Sequence, residues 1–317
     1  MNSPAQAPSA ADRRTGAGGP LRPPRLQGLP PQSFFLVSAV FHYLGPAFAV
    51  LLFARLDVLG VAWLRIAAAA ALFAAWRRPW RLLARAGRRR RALLVQLGTV
   101  LAAMNVLFYL AVARLPLATV GAVEFLGVVL LATAGARRPR NAAALALTVA
   151  GVAALTDVRL AGQPLGFAFA FGNCALFMCY VLLGHRVANT DVGSGAMSGI
   201  DQLGAAMLVA AVVVTPVGLG GALPALTRPV LLLAGVGVGL CSSVVPYVTD
   251  QLAMARLPRA SFALLLALLP MFGTIIGAAV LGQLPTGQDL AGIALVVAGV
   301  ALHQVPTRDT PHRDPTA

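Results

Sequence analysis

Apolar residues gather along this chain into long runs separated by short polar connectors. Ten such runs cover approximately residues 32–54, 58–76, 92–113, 117–135, 140–156, 164–184, 193–216, 229–252, 259–281 and 287–303. A helix of about 20 residues crosses a ~30 Å hydrocarbon layer, so each run is the length of a transmembrane span. The pattern predicts an all-α integral membrane protein of ten transmembrane helices. The first residues, rich in Pro, Ala, Gly and Arg without apolar periodicity, predict a disordered basic tail over 1–31. The first apolar run is too long for a signal-peptide core and no clear cleavage site follows it, so the tail is expected to stay attached. A second short tail is expected over 304–317.

Self-similarity divides the runs into two halves. The segment AVARLPLA at 111–118 returns as AMARLPRA at 253–260, and LALTVAGVA at 145–153 returns as IALVVAGVA at 293–301. Both echoes map spans 3 to 5 onto spans 8 to 10. The two halves are therefore 32–156 and 164–303, with five spans each. Five is odd, so the second half enters the membrane from the opposite side, and the expected architecture is two inverted five-helix repeats. That architecture is associated with secondary transporters, whose substrate site lies near the midplane between the halves. A duplication without mechanistic meaning is the plainer alternative.

Composition agrees: 58% of residues are hydrophobic and 11% charged, with mean hydropathy +0.80. The net charge of +15 raises the question of nucleic acid, but its placement answers differently. Every basic residue other than histidine is an arginine, and with the N-terminus inside, twenty of the 25 fall on the cytoplasmic side. Arg55, Arg114, Arg159 and Arg228 fall outside, and Arg65 lies within a span. This asymmetry predicts an inner-membrane protein with both termini cytoplasmic and no nucleic-acid partner. The loop WRRPWRLLARAGRRRR also suits anionic lipid, although topology alone accounts for it. Cys174, Cys179 and Cys241 all sit in spans without a C-x-x-C pair, and the four histidines are scattered, so no metal or other cofactor is expected.

Candidate chemistry lies in the charged residues inside the spans: Arg65, Glu124, Asp201 and Asp250. Each costs about 2.5–3.5 kcal/mol at a helix centre, so all four are expected to face protein or water. Arg65 and Glu124, the only glutamate of the chain, each lie seven residues in from an outer helix start, roughly 10 Å deep. Asp201 holds a position in span 7 related to that of Arg65 in span 2, so a substrate with an ammonium and a carboxylate would find complementary partners. Gly121 and Gly127 flank Glu124 on one helix face and permit close approach. Burial disfavours the charged form of that carboxyl and a neighbouring Arg65 favours it, so substrate binding and protonation become linked. A permanent Arg65–Glu124 ion pair that only fixes packing stays open as the structural reading. Asp250 is either a proton-coupling group or an interfacial residue meeting water. Tyr109, Tyr180, Asn105, Tyr247 and His42 would supply a polar lining, or hydrogen bonds between helices. Gly45-Pro46, Pro246 and Pro270 are expected kinks.

The stretches AWLRIAAAAALF, MNVLFYLAVARLPLATVGAVEFLG, FMCYVLLGHR and VVPYVTDQLAMARLPRASFALLLALLP resemble the EamA-type branch of the drug/metabolite transporter superfamily. Within it they are most similar to the bacterial threonine/homoserine exporter group. The resemblance covers about residues 33–303 and implies an inner-membrane exporter of small metabolites, amino acids or their analogues, driven by proton antiport. It marks Arg65, Glu124, Tyr247 and Asp250 as functional positions. Two departures stand out: Gly127 occupies a place where relatives often have proline, and Gln283 one where the family often shows glutamate. The expected partners are a small-molecule substrate, protons and the lipid bilayer, with a homodimer left open. A drug exporter or metabolite importer on the same scaffold is the alternative. An intramembrane enzyme is disfavoured, because H-E-x-x-H, G-x-G-D and a buried serine with a histidine partner are all missing from the spans. A scaffold or sensor would want a soluble domain that the short loops do not supply.

Overall fold

The computed structural model describes residues 31–134, 139–157, 163–188, 196–254 and 268–302. Both expected tails, the second R-L-P motif and the first part of the ninth run lie outside the described residues, apart from Pro31 and a residue or two at the edges. The described residues form helices and turns, without a strand. In chain order the helices are α1 (Pro31–Leu52), α2 (Val58–Arg77), α3 (Trp80–Arg85), α4 (Arg88–Val112), α5 (Leu117–Ala134) and α6 (Pro139–Asp157). They continue as α7 (Pro164–Ala188), α8 (Ala196–Leu226), α9 (Pro229–Gly239), a π-helical turn (Leu240–Val244), α10 (Val245–Met254), α11 (Leu269–Leu281) and α12 (Gly287–Leu302).

Six described segments are long and apolar enough to cross a membrane: Ser33–Leu52, Val58–Arg77, Arg88–Val112, Pro164–Val187, Gly199–Leu226 and Pro229–Asp250. Four further apolar segments, Leu117–Leu131, Pro139–Leu155, Leu269–Leu281 and Gly287–Leu302, are shorter. The fold is an all-α membrane bundle. Helix ends follow local chemistry. Asp57 caps α2, its Oδ1 accepting from the N–H of Leu59 at 2.9 Å and of Gly60 at 3.4 Å. Arg78, in the left-handed region at φ 50°, ends the same helix. Gly282, at φ 66°, ends α11 and turns Gln283 back, so that its Oε1 accepts from Leu117 N–H at the start of α5, 3.1 Å away. A glutamine keeps the acceptor that a glutamate would bring to this helix start.

Two expectations, a proline kink and a helix end, need correction. Pro270 is the second residue of α11, where a missing N–H costs nothing, so it does not kink a described helix. Pro216 and Pro224 lie inside α8, which runs ten residues past the expected end. The stretch VGLGGALPAL reads as a connector by its glycines and proline, but here Gly218 packs on Trp63 and Gly221 on Asp57 and Gly60.

Lipid tails are as apolar as leucine, so close van der Waals approach and interhelical hydrogen bonds hold such helices together. Helix α2 lies antiparallel against α8, with Gly60 on the backbone of Gly221 and Ala222, and Gly218 on Trp63. Trp63 Nε1 donates to Thr215 Oγ1 at 2.8 Å across the same seam. Helix α6 packs antiparallel on α12, with Gly151 against Gly292 and Val296, and Gly299 against Ala144 and Thr148. Helix α4 packs on α7 and α8, while α1 packs on α9, the π turn, α10 and α11.

The buried apolar side chains form two clusters, and the boundary between them locates the site. On α2 one cluster ends at Leu64 and the other begins at Ile66, so Arg65 stands between them. On α4 the boundary falls between Met104 and Tyr109, spanning Asn105.

Candidate functional site

At that boundary a cavity of about 310 Å³ opens among α1, α2, α4, α5, α7, α10 and α11. Of the expected site residues, Arg65, Glu124, Asn105, Tyr180, Tyr247 and Asp250 all line it. His42 lines it as well. Six residues dispersed over 186 positions of sequence thus meet in one chamber, which matches the need of each polar group to avoid lipid.

Arg65 is 7% exposed and held from two directions. Its Nε donates to Ser243 Oγ at 3.1 Å and its Nη2 to the carbonyl oxygen of Ser242 at 3.1 Å. Both acceptors belong to the π-helical turn, whose wider winding releases carbonyls from the regular i to i−4 ladder. The guanidinium carbon also lies 5.3 Å from the centre of the Tyr109 ring. Tyr109 therefore acts behind Arg65: it is fully buried and supports the guanidinium from the side. Gly45 of α1 allows the turn to come this close, since a side chain there would overlap Ser242.

Glu124 enters from α5. Gly121 leaves room for the Tyr43 ring of α1, and Gly127 for Cys174 of α7, so both flanking glycines serve helix approach and the carboxyl faces the chamber. Its polar neighbour is Asn173 of α7. Among the described residues there is no Arg65–Glu124 ion pair; the guanidinium is turned to the two serines instead. The two charges share one cavity with neither neutralising the other by contact.

Asp250, which also lines the cavity, adjoins Ser38 of α1, whose hydroxyl donates to the Pro246 carbonyl at 3.3 Å. Asn105 is engaged with its own helix, Nδ2 donating to Leu101 O at 2.8 Å. Phe177 and Tyr180 stack on α7 with ring centres 6.3 Å apart.

Asp201 is not part of this chamber. It forms a two-pronged pair with Arg77, Nε to Oδ1 at 2.7 Å and Nη2 to Oδ2 at 3.1 Å. The reason is topological: α2 continues to Arg77 and runs antiparallel to α8, which brings the end of one helix to the start of the other. A symmetric counterpart to Arg65 is thereby replaced by a tie between helix ends. Ser242, Ser243, Asn173 and Ser38 were not singled out in the sequence, although a serine pair and an amide inside apolar runs are the kind of signal that could have marked them.

No protein-family model matches the chain. The Threonine/homoserine exporter RhtA of Salmonella typhimurium (strain LT2) is 31% identical over 260 residues, covering 80% of this chain and 84% of that protein. The protein of the same name from Escherichia coli (strain K12) is 30% identical over the same shares of each. A solved crystal structure at 19% identity superposes with a TM-score of 0.53 over 86% of this chain and 96% of its own, a likeness of fold alone.

Proposed function

Because this chain belongs to the threonine/homoserine exporter group of the EamA-type drug/metabolite transporters, we propose that it exports small zwitterionic amino acids, threonine and homoserine among them, by proton antiport. The observation that carries this reading is the chamber in which Arg65 and Glu124 stand on different helices without pairing. Arg65 offers the cargo carboxylate a charge-assisted partner, and Glu124 offers one to its ammonium.

Coupling follows from the cost of an unpaired charge in hydrocarbon. Facing the cytoplasm, cargo binds as the Glu124 proton leaves, and the ammonium neutralises the carboxylate. Facing outward, cargo departs and Glu124 takes a proton from the outer side. The return step then carries Glu124 as a neutral carboxylic acid, while the Arg65 charge stays solvated by the Ser243 hydroxyl, the Ser242 carbonyl and the Tyr109 ring. One proton enters for each cargo molecule that leaves.

Alternating access requires two halves that rock, and the packing supports a reading of ten spans in two inverted repeats. Shifting by the 148 residues that relate LALTVAGVA to IALVVAGVA carries Gly151 to Gly299, Thr148 to Val296 and Ala144 to Gly292. The contacts exchange the same way: Gly151 meets Val296 and Gly292, and Gly299 meets Thr148 and Ala144. Reciprocity of that kind is the mark of an axis relating two copies. The Arg77–Asp201 tie would then latch α2 to α8 near the cytoplasmic side, where the arginine-rich connector and the exposed Trp76 and Trp80 suit the headgroup layer.

The test is a cargo panel in proteoliposomes. Threonine and homoserine counterflow should exceed that of protein-free vesicles by at least about tenfold, a difference of roughly 1.4 kcal/mol. Movement of hydrophobic cations with none of any amino acid would replace this reading by a drug exporter.

A further inference from the structure

Asn173 lines the chamber near the middle of α7 and is fully buried beside the Glu124 carboxyl, yet neither its Nδ2 nor its Oδ1 reaches full hydrogen-bond geometry with a described protein group. Buried side-chain amides nearly always have partners, and leaving one without them is costly. Three other polar lining residues are engaged: Asn105 on Leu101, Ser38 on Pro246, Arg65 on the π turn. The remaining orphans of the region, Tyr109 Oη and Ser242 Oγ, stand by Arg65 at the carboxylate end. Asn173 alone stands by Glu124.

An amide offers two N–H donors and one acceptor oxygen. A carboxylate would use only the donors and an ammonium only the oxygen, whereas a hydroxyl, both donor and acceptor, uses both sides. Position narrows the choice further. In a hydroxy amino acid the side-chain hydroxyl is one or two carbons from the carbon that bears the ammonium. The group that holds the hydroxyl can therefore stand beside the group that holds the ammonium. Glu124 and Asn173 adjoin, while Arg65 is fastened to the π turn.

We infer that Asn173 is the specificity residue of the chamber: it reads the cargo's side-chain hydroxyl and so selects hydroxy amino acids over apolar ones of the same shape. This rests on the amino-acid export reading above. The mechanism of selection is loss, since an isosteric apolar cargo cannot give the buried amide the hydrogen bonds that a hydroxyl gives it.

Two isosteric pairs test it in proteoliposomes of the full chain: threonine against valine, and homoserine against norvaline. In the wild type each hydroxylated member should move at least about tenfold faster than its partner. In Asn173→Leu, of similar size and without polar atoms, both ratios should collapse to within about twofold of one. Asn173→Ala serves the same purpose if the leucine variant fails to elute as a single species in detergent. Wild-type ratios near one, or ratios kept at tenfold in a folded variant, overturn the inference and leave amino-acid export standing. Movement of none of the four amino acids by wild type overturns export and inference together.

Discussion

Arg65→Met should reduce cargo transport by at least about a hundredfold, the equivalent of roughly 2.7 kcal/mol of lost binding and positioning. Methionine fills much of the same space, so the helix pair α2–α8 is kept. What disappears is the one arginine or lysine among the described residues that line the chamber, and with it the partner proposed for the cargo carboxylate. Arg65→Lys should not rescue. A lysine ammonium cannot span Ser243 Oγ and the Ser242 carbonyl with a planar fork while lying against Tyr109. Counterflow of threonine into vesicles holding each variant, normalised to inserted protein, checks the prediction. A lysine variant with wild-type rates would mean that any positive charge suffices and that the π turn positions nothing.

Gly60→Ala should destabilise the protein by about 3 kcal/mol or more, although alanine is the better helix former. A methyl group at position 60 would overlap the backbone of Gly221 and Ala222, and backbone cannot rotate away. Helices α2 and α8 would have to separate, loosening the Trp63–Thr215 hydrogen bond and tilting Arg65 out of its cradle. Gly220→Ala provides the contrast, because nothing lies within 4 Å of a methyl group there. That change should be neutral or stabilising by up to about 1 kcal/mol. Thermal unfolding in detergent, followed by loss of the monodisperse peak, distinguishes them. Equal melting of the two variants would show that the α2–α8 contact contributes little.

Hydrophobic runs made most helices legible, and where they failed the cause is specific. The expected span 58–76 became Val58–Arg77, and 287–303 became Gly287–Leu302, because Asp57 and the connector before Gly287 are clear boundaries. The run 193–216 was cut short by ten residues at glycines and prolines, residues that break helices in water but are tolerated inside a bundle, where Gly218 and Gly221 serve as contact surfaces. The short helix Trp80–Arg85 hid among arginines in a stretch read only for charge. At the site, burial cost pointed to Arg65, Glu124 and Asp250, since an intramembrane charge must find a chamber. Asp201 obeys the same cost by a different route, pairing with Arg77, and sequence cannot tell a chamber from a partner supplied by another helix. The serines that hold Arg65 were invisible for a related reason: a π turn is a matter of winding, and Cys-Ser-Ser-Val reads like any small-residue patch.

The central claim is that Glu124 exchanges its proton for cargo. Proton movement across everted membrane vesicles that hold a pH gradient, on addition of threonine or homoserine, tests it directly with wild type beside Glu124→Gln. Wild type should release protons in proportion to cargo taken up, and the folded, inserted Glu124→Gln protein should show cargo-dependent release lower by at least about a hundredfold. Equal release from both proteins would contradict the account and leave Glu124 as a structural residue of α5.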